Sequence, residues 1–247
     1  MKIVVFGGTG LIGSQVVSLL KQAGHEAVPQ SPSTGVNTVT GEGLAGALDG
    51  ADVVVDVTNS PSFAPDDVME FFTKSTGNLL AAERAAGVGH HVALSIVGAE
   101  RSPDSGYLPA KVVQERLIAE SGVPYTVVRA TQFFEFLGGI ADSATDGDTV
   151  RIAPVSFQPI ASADVARAVA DAATAPAVNG AVEVAGPQRM RFDEVIREAL
   201  AAKGDPREVV ADPAAPYFGQ VMADDTIVPT GDYRAGAVTL ADWRARQ

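Results

Sequence analysis

Ile3-Val4-Val5-Phe6 runs without a polar residue into Gly7-Gly8-Thr9-Gly10-Leu11-Ile12-Gly13. A continuous apolar run that stops at glycine reads as a strand buried on both faces of a parallel sheet. Beyond the turn, Ile12, Val16, Val17, Leu20 and Ala23 repeat at helical spacing, and Gly24 closes the pattern. Strand, glycine turn and helix in this order commit the chain to an α/β fold.

The same alternation continues. A weaker strand covers Glu26 to Val28, and Val53-Val54-Val55-Asp56-Val57 is a strong one. Pro65, Asp66 and Asp67 have the composition of a first helical turn, in a helix running toward Gly87. Val92 to Val97 reads as a strand, Val112 to Ile118 as a helix ending near Gly122, and Tyr125 to Arg129 as a strand. This order predicts a Rossmann-like, doubly wound parallel sheet with helices on both faces. After residue 131 the pattern loosens into Phe133, Phe134 and Phe136, a short strand over Thr149 to Ile152, and a helix capped by Ser162. A strand over Ala181 to Val184, a helix over Phe192 to Leu200 and a Pro-, Asp- and Gly-rich end follow. The expected division is a dinucleotide-binding core over 1–131 and a small C-terminal lobe on the substrate side over 132–247. Some of its segments are expected to return to the core sheet.

The glycine turn fits two spacings, Gly8-x-Gly10-x-x-Gly13 and Gly7-x-x-Gly10-x-x-Gly13. Such glycines permit a tight turn, close approach of backbone to a pyrophosphate, and close packing of helix on strand. The helix start then offers unpaired N–H groups to phosphate. An NAD site usually carries an acid about 20 residues further on, at the ribose 2′-hydroxyl. No acid stands between Glu26 and Glu42, so a 2′-phosphate meets no repulsion, and NADP(H) is favoured over NAD(H). Ser31, Ser33 and Thr34 are the candidate donors to that phosphate, or they shape the turn.

Tyr107 and Lys111 stand four apart, on one face of a helix. A nearby ammonium is expected to lower the phenol's pKa and ready it for proton exchange with a carbonyl or alcohol oxygen. Ser95, at the end of the preceding strand, is a candidate to hold the substrate oxygen. Pro109 forces the helix to begin near Tyr107, which puts Tyr107 at its frayed end.

Over these motifs and the run Tyr125-Val-Val-Arg-Ala-Thr-Gln-Phe-Phe, the chain resembles the short-chain dehydrogenase/reductase superfamily, within its atypical NmrA-like NAD(P)-binding branch. The resemblance implies that Thr9, Leu11 and Ile12 line the pyrophosphate. It implies that Val57, Thr58 and Asn59 approach the adenosine half, and that Lys111 bonds the nicotinamide ribose. Ala130 to Phe133, Gln132 included, would border the nicotinamide. Active members often carry an Asn in the helix after the fourth strand; the matching position here is Phe72, which breaks that relay.

The function this implies is an NAD(P)H-dependent oxidoreductase acting on a carbonyl or quinone-like small molecule. The alternative is a non-catalytic redox sensor that regulates a protein partner. Epimerisation or dehydration of a sugar nucleotide ranks last, because no basic cluster in the lobe suits a second diphosphate. A net charge of −12 opposes nucleic acid and anionic membrane as partners. No cysteine is present, which removes thiolate catalysis and Cys-based metal sites. His25, His90 and His91 read as surface or strand-entry residues, and no metal is expected. No stretch has the length of a membrane span or signal-peptide core, so a cytoplasmic location is expected. The oligomeric state is open, a homo-oligomer included.

Overall fold

The computed structural model describes residues 1–246. Five parallel strands form the first part of the main sheet. They are β1 (Lys2–Phe6), β2 (Glu26–Gln30), β3 (Val53–Asp56), β4 (His90–Ile96) and β5 (Tyr125–Ala130). The strands Gly180–Ala185 and Arg234–Ala235 join beyond β5, also in parallel. Across the seven-stranded sheet the order is Arg234–Ala235, Gly180–Ala185, β5, β4, β3, β1, β2. The chain steps outward from β1 to β2, then back to β3 on the other side of β1. This reversal opens a crevice at the carboxyl ends of β1 and β3, where ligands bind in such sheets.

Helices α1 (Leu11–Gln22), α2 (Leu44–Ala47), α3 (Pro65–Ala86) and α4 (Leu108–Glu120) connect these strands. Their boundaries follow sequence chemistry. Pro65 opens α3 with Asp66 and Asp67 in its first turn, and Gly87 closes it in the left-handed region. Pro29 sits within β2, where the strand's edge position spares it a missing ladder donor.

Two excursions leave the sheet after β5. The first holds α5 (Leu137–Ser143) and the strand Thr149–Ile152; the chain returns through α6 (Ser162–Thr174), which packs on α1. The second holds α7 (Phe192–Ala202), the strand Glu208–Ala211 and a short hairpin before Arg234–Ala235. A short α8 (Leu240–Arg244) ends the described residues. Both excursions share one core, with Phe134, Phe157, Phe192, Ile196 and Ile227 fully buried in it. A second core, under α1 and α6, belongs to the sheet.

One expectation is narrowed and one needs correction. His90 and His91 are strand-entry residues but not surface ones. His91 is fully buried and meets Glu83 of α3 at 2.8 Å, while His90 faces Thr126 at 2.9 Å. Burial works against a charged His91, yet the Glu83 carboxylate outweighs it and holds the His91 pKa above the usual value. Ser162 does not cap α6. It is the first helical residue, and its hydroxyl donates to Glu135 at 2.7 Å.

Candidate functional site

At the carboxyl end of β1 the glycines divide their work. Gly7 has φ +75°, and a side chain there would meet the Val57 carbonyl at 2.7 Å. A Cβ on Gly8 would strike Pro29 of β2 at 2.7 Å, and one on Gly13 would lie 2.1 Å from the Gly7 oxygen. A Cβ on Gly10 would meet only the Gly7 oxygen, at 3.3 Å. Gly7 and Gly13 therefore let strand, turn and helix close on one another, and Gly10 keeps the outer face clear. The geometry corresponds to the Gly7, Gly10, Gly13 spacing, with Gly8 as an added contact to β2.

Gly10 is the N-cap of α1 and supplies no side-chain cap. The first N–H groups of a helix have no partner within it, and no acid stands in the first turn to compete for them. Thr9, Gly10 and Leu11 form the exposed crest, over a buried base of Gly8, Ile12 and Gly13. A cradle that any Cβ would fill, facing free donors, fits a pyrophosphate.

Beside this crest, the end of β2 is Gln30, whose carbonyl accepts from the Gly7 and Gly8 amides at 3.0 and 3.3 Å. The expected phosphate donors are largely engaged with one another. Ser31 and Ser33 hydroxyls lie 2.7 Å apart, and the Thr34 hydroxyl donates toward Gln30 and the Ser31 carbonyl, each at 2.8 Å. They hold a single 3-10 turn over Pro32–Thr34. At the end of β3, Val57 touches the glycine turn, and Thr58 donates to Asp56 through both backbone and hydroxyl, at 3.0 and 2.6 Å.

Tyr107 is the N-cap of α4, with Pro109 tolerated inside the first turn. It is not frayed: it is 8% exposed, and its hydroxyl donates to Asn59 Oδ1 at 2.5 Å. Burial pushes its pKa up, and no lysine opposes that. The expected acidification by Lys111 is absent because Lys111 is engaged elsewhere. Its ammonium donates to the Leu94 carbonyl at 2.9 Å and to Gln114 Oε1, and it lies 4.2 Å from the centre of the Phe72 ring. Burial lowers the Lys111 pKa to about 8, against the pull of Asp56 and Glu115. Phe72 lies in α3, which follows the third strand, not the fourth. It packs edge-on to Tyr107 at 6.0 Å. Ser95, next to last in β4, is buried, and its hydroxyl has no partner among the described residues.

Ala130 is buried at the end of β5, and both amide atoms of Gln132 are buried without a partner. Phe133 packs on the sheet core and stacks on exposed Phe136 at 5.2 Å, whereas Phe134 is buried in the lobe core against Trp243. An unpaired buried amide beside a half-buried ring fits a carboxamide-bearing ring as ligand.

Sequence reasoning missed four residues here. Gln114 bridges Lys111 to Asp56, donating to Asp56 Oδ2 at 3.0 Å. Its signal was its place one helical turn after Lys111, and that of Asp56 was an acid inside an apolar strand. Phe63 and Phe218 flank Tyr107 at 6.0 and 5.8 Å, and no spacing rule links them to it. A cavity of about 410 Å³ lies at the opposite, amino ends of the strands, lined by Met1, Val53, His90 and Ala173 among others. It is remote from the glycine turn and contains none of these groups. Among the described residues no helix is long and apolar enough to cross a membrane.

Residues 7–176 match the NAD(P)H-binding family. An NAD(P)H azoreductase from Xenophilus azovorans is 31% identical over 230 residues, covering 85% of this chain and 76% of that protein. The photosystem II assembly factor Ycf39 of Cyanophora paradoxa is 28% identical over 167 residues, covering 62% of this chain and 52% of that protein. Two solved structures show the same fold. MoeE5 in complex with UDP-glucuronic acid and NAD superposes with a TM-score of 0.74 at 17% identity, covering 100% of this chain and 97% of that one. The NADPH-dependent quinone oxidoreductase of Escherichia coli, complexed with NADPH, gives 0.68 at 21% identity, covering 85% and 77%.

Proposed function

The chain belongs to the NAD(P)H-binding family, in the atypical, NmrA-like branch of the short-chain dehydrogenase/reductase superfamily, and from that premise we propose an NADPH-dependent reductase of a carbonyl or quinone-like small molecule. The observation that carries this reading is Tyr107, a buried phenol at the carboxyl edge of the sheet that keeps its proton at neutral pH. A phenol of this kind can give a hydrogen bond, and then its proton, to an acceptor oxygen.

When bound, the nicotinamide supplies hydride. The chain supplies the rest. The Gly7–Gly13 turn and the start of α1 hold the pyrophosphate. Lys111 has two of its three protons committed to Leu94 and Gln114, which leaves one for the nicotinamide ribose. The unpaired Gln132 amide is the candidate partner for the carboxamide. For proton transfer, the Tyr107 hydroxyl turns from Asn59 to the acceptor oxygen. The unpaired Ser95 hydroxyl is the second candidate for that oxygen. The missing acid at the end of β2, where Gln30 stands, supports NADP(H) over NAD(H); the internal bonding of Ser31, Ser33 and Thr34 means the preference rests on absent repulsion. The azoreductase relative supports an electron-poor conjugated acceptor.

A second reading has one observation in its favour. Tyr107 is covered, and its hydroxyl already donates its hydrogen bond to Asn59. A sensor that binds dinucleotide and regulates a protein partner needs no more than that, and one relative is an assembly factor. Fluorescence binding of NADPH and NADH, followed by consumption assays with quinones and ketones, separates the two. The reductase reading expects tighter NADPH binding and turnover that Tyr107→Phe removes. Tight binding with no turnover on any acceptor sinks it and leaves the sensor.

A further inference from the structure

The hairpin Pro216–Tyr217 with Gln220–Val221 closes through a two-residue turn, Phe218-Gly219. Both turn residues have positive φ, +49° at Phe218 and +86° at Gly219. Two-residue hairpins of this hand favour Asn, Asp or Gly at the first position, and a phenylalanine held there is a strained outlier. Strain of this kind persists where surrounding contacts over-determine it. Here the contacts are visible: the Phe218 carbonyl accepts from Gly106 at 3.0 Å, and Gln220 Oε1 accepts from the Asp104 amide at 3.0 Å. The hairpin is thereby pinned to the loop that carries Tyr107.

The pinning puts the Phe218 ring 5.8 Å from Tyr107 and 6.3 Å from Phe63, which is itself 6.0 Å from Tyr107. Phe63, in the loop before α3, stacks on Phe218, so the two rings lie together on one side of Tyr107. Phe63 and Phe218 remain 63% and 42% exposed, yet together with Phe72 they help leave Tyr107 only 8% exposed. Two large exposed rings are an unusual use of surface unless something covers them. Behind the hairpin lies a cavity of about 200 Å³, lined by Ile140, Phe192, Tyr217 and Phe218 among others.

We infer that Phe63 and Phe218 are specificity-determining residues that admit an acceptor to Tyr107 by exchanging ring-on-ring contacts for contacts with a flat, conjugated acceptor. The inference rests on the reductase reading and deepens it. The three rings are too close for another ring to slide between them, so an acceptor that approaches Tyr107 on this side takes the place of Phe63 or Phe218. A planar conjugated molecule restores the stacking that is lost, and a saturated one does not. The Phe218 ring lines that cavity and has space to turn into it while the hairpin backbone stays pinned.

The test compares wild type, Phe63→Leu and Phe218→Leu, with NADPH binding as the check that each variant is folded. The probes are a naphthoquinone and a saturated bicyclic ketone of similar size. Steady-state KM is measured for both, and equilibrium binding of each probe to the protein is measured apart from turnover. The expected result is a rise of about five- to ten-fold in naphthoquinone KM and Kd in each variant, with a much smaller change for the saturated ketone. Equal weakening for both probes, or unchanged naphthoquinone binding in both variants, overturns the assignment. If wild type turns over neither probe nor any other quinone or ketone of the panel, the reductase reading has failed. The binding arm then decides this inference alone, on the same two criteria.

Discussion

The glycine turn and the Tyr107 loop face each other across one edge of the sheet, and they are built in opposite ways. The turn is backbone held by backbone: Gly7 against Val57, Gly8 against Pro29, Gly13 against Gly7. It works by leaving side chains out, and its four glycines lie within seven residues of sequence. The Tyr107 loop is side chain held by side chain. Asn59 takes the hydroxyl, Phe72 lies against the ring edge, and Phe63 and Phe218 flank it from segments far apart in the chain. The first region leaves no room for a side chain at Gly7, Gly8 or Gly13. In the proposed reductase reading, the second exchanges contacts as an acceptor reaches the phenol. On that reading, the rigid half sets what is bound and the adaptable half sets what is done with it.

This contrast breaks most visibly at Gly13. In Gly13→Ala the new methyl group has a backbone oxygen 2.1 Å away and nothing flexible to displace. Dinucleotide binding is expected to weaken at least ~100-fold and the melting temperature to fall by ~10 °C, the scale of an overpacked core of this size. Gly10→Ala, whose methyl meets one atom at 3.3 Å, is expected to keep its melting temperature within ~2 °C and lose only affinity. Calorimetry with and without NADPH reads both. Equal destabilisation by the two substitutions would remove the division of labour among the glycines.

The Tyr107 side can be sharpened through pH. The Lys111 pKa, lowered to about 8 by burial, is below that of an unfolded lysine. Between pH 8 and the unfolded value the unfolded chain holds more protons, so stability rises with pH across that window. Wild type is expected to gain up to about 3 kcal/mol over Lys111→Met between pH 7.5 and 10, read by urea unfolding. Parallel curves for the two proteins would mean that the ammonium is not held in the buried position beside Gln114 and Phe72.

A smaller effect is expected at the end of β2. Gln30→Asp places a carboxylate where a 2′-phosphate would lie, and should weaken NADPH about ten-fold relative to NADH. An unchanged NADPH-to-NADH ratio would show that β2 does not face the adenosine ribose.

Which parts were legible in the sequence follows from the same contrast. Periodicity and glycine spacing located β1, the turn, α1 and the strands through β5, because each signal is local. The parallel sheet and the return of a late strand beside β5 follow from the alternation of elements. Tyr107 and Lys111 were found by their spacing, but their relation was not. Four-residue spacing places two side chains on one face; it does not reveal that the Leu94 carbonyl and Gln114 claim the ammonium or that Asn59 claims the hydroxyl. His91 was placed at the surface or at a strand entry, and its burial went unseen because its partner, Glu83, comes from the helix before it, and a buried pair leaves no periodic trace. Phe218 was invisible for a plainer reason. Its role depends on a two-residue turn folding back across more than a hundred residues of chain.

The most direct test separates binding from chemistry in one experiment. NADPH affinity and the single-turnover rate of nicotinamide oxidation by a quinone are measured for wild type, Gly10→Ala and Tyr107→Phe. The expected result is a Tyr107→Phe protein with wild-type affinity and a rate reduced at least ~100-fold. Gly10→Ala should show the reverse, weakened affinity with a near-normal rate once NADPH is saturating. A Tyr107→Phe protein that oxidises bound NADPH as fast as wild type would contradict the account.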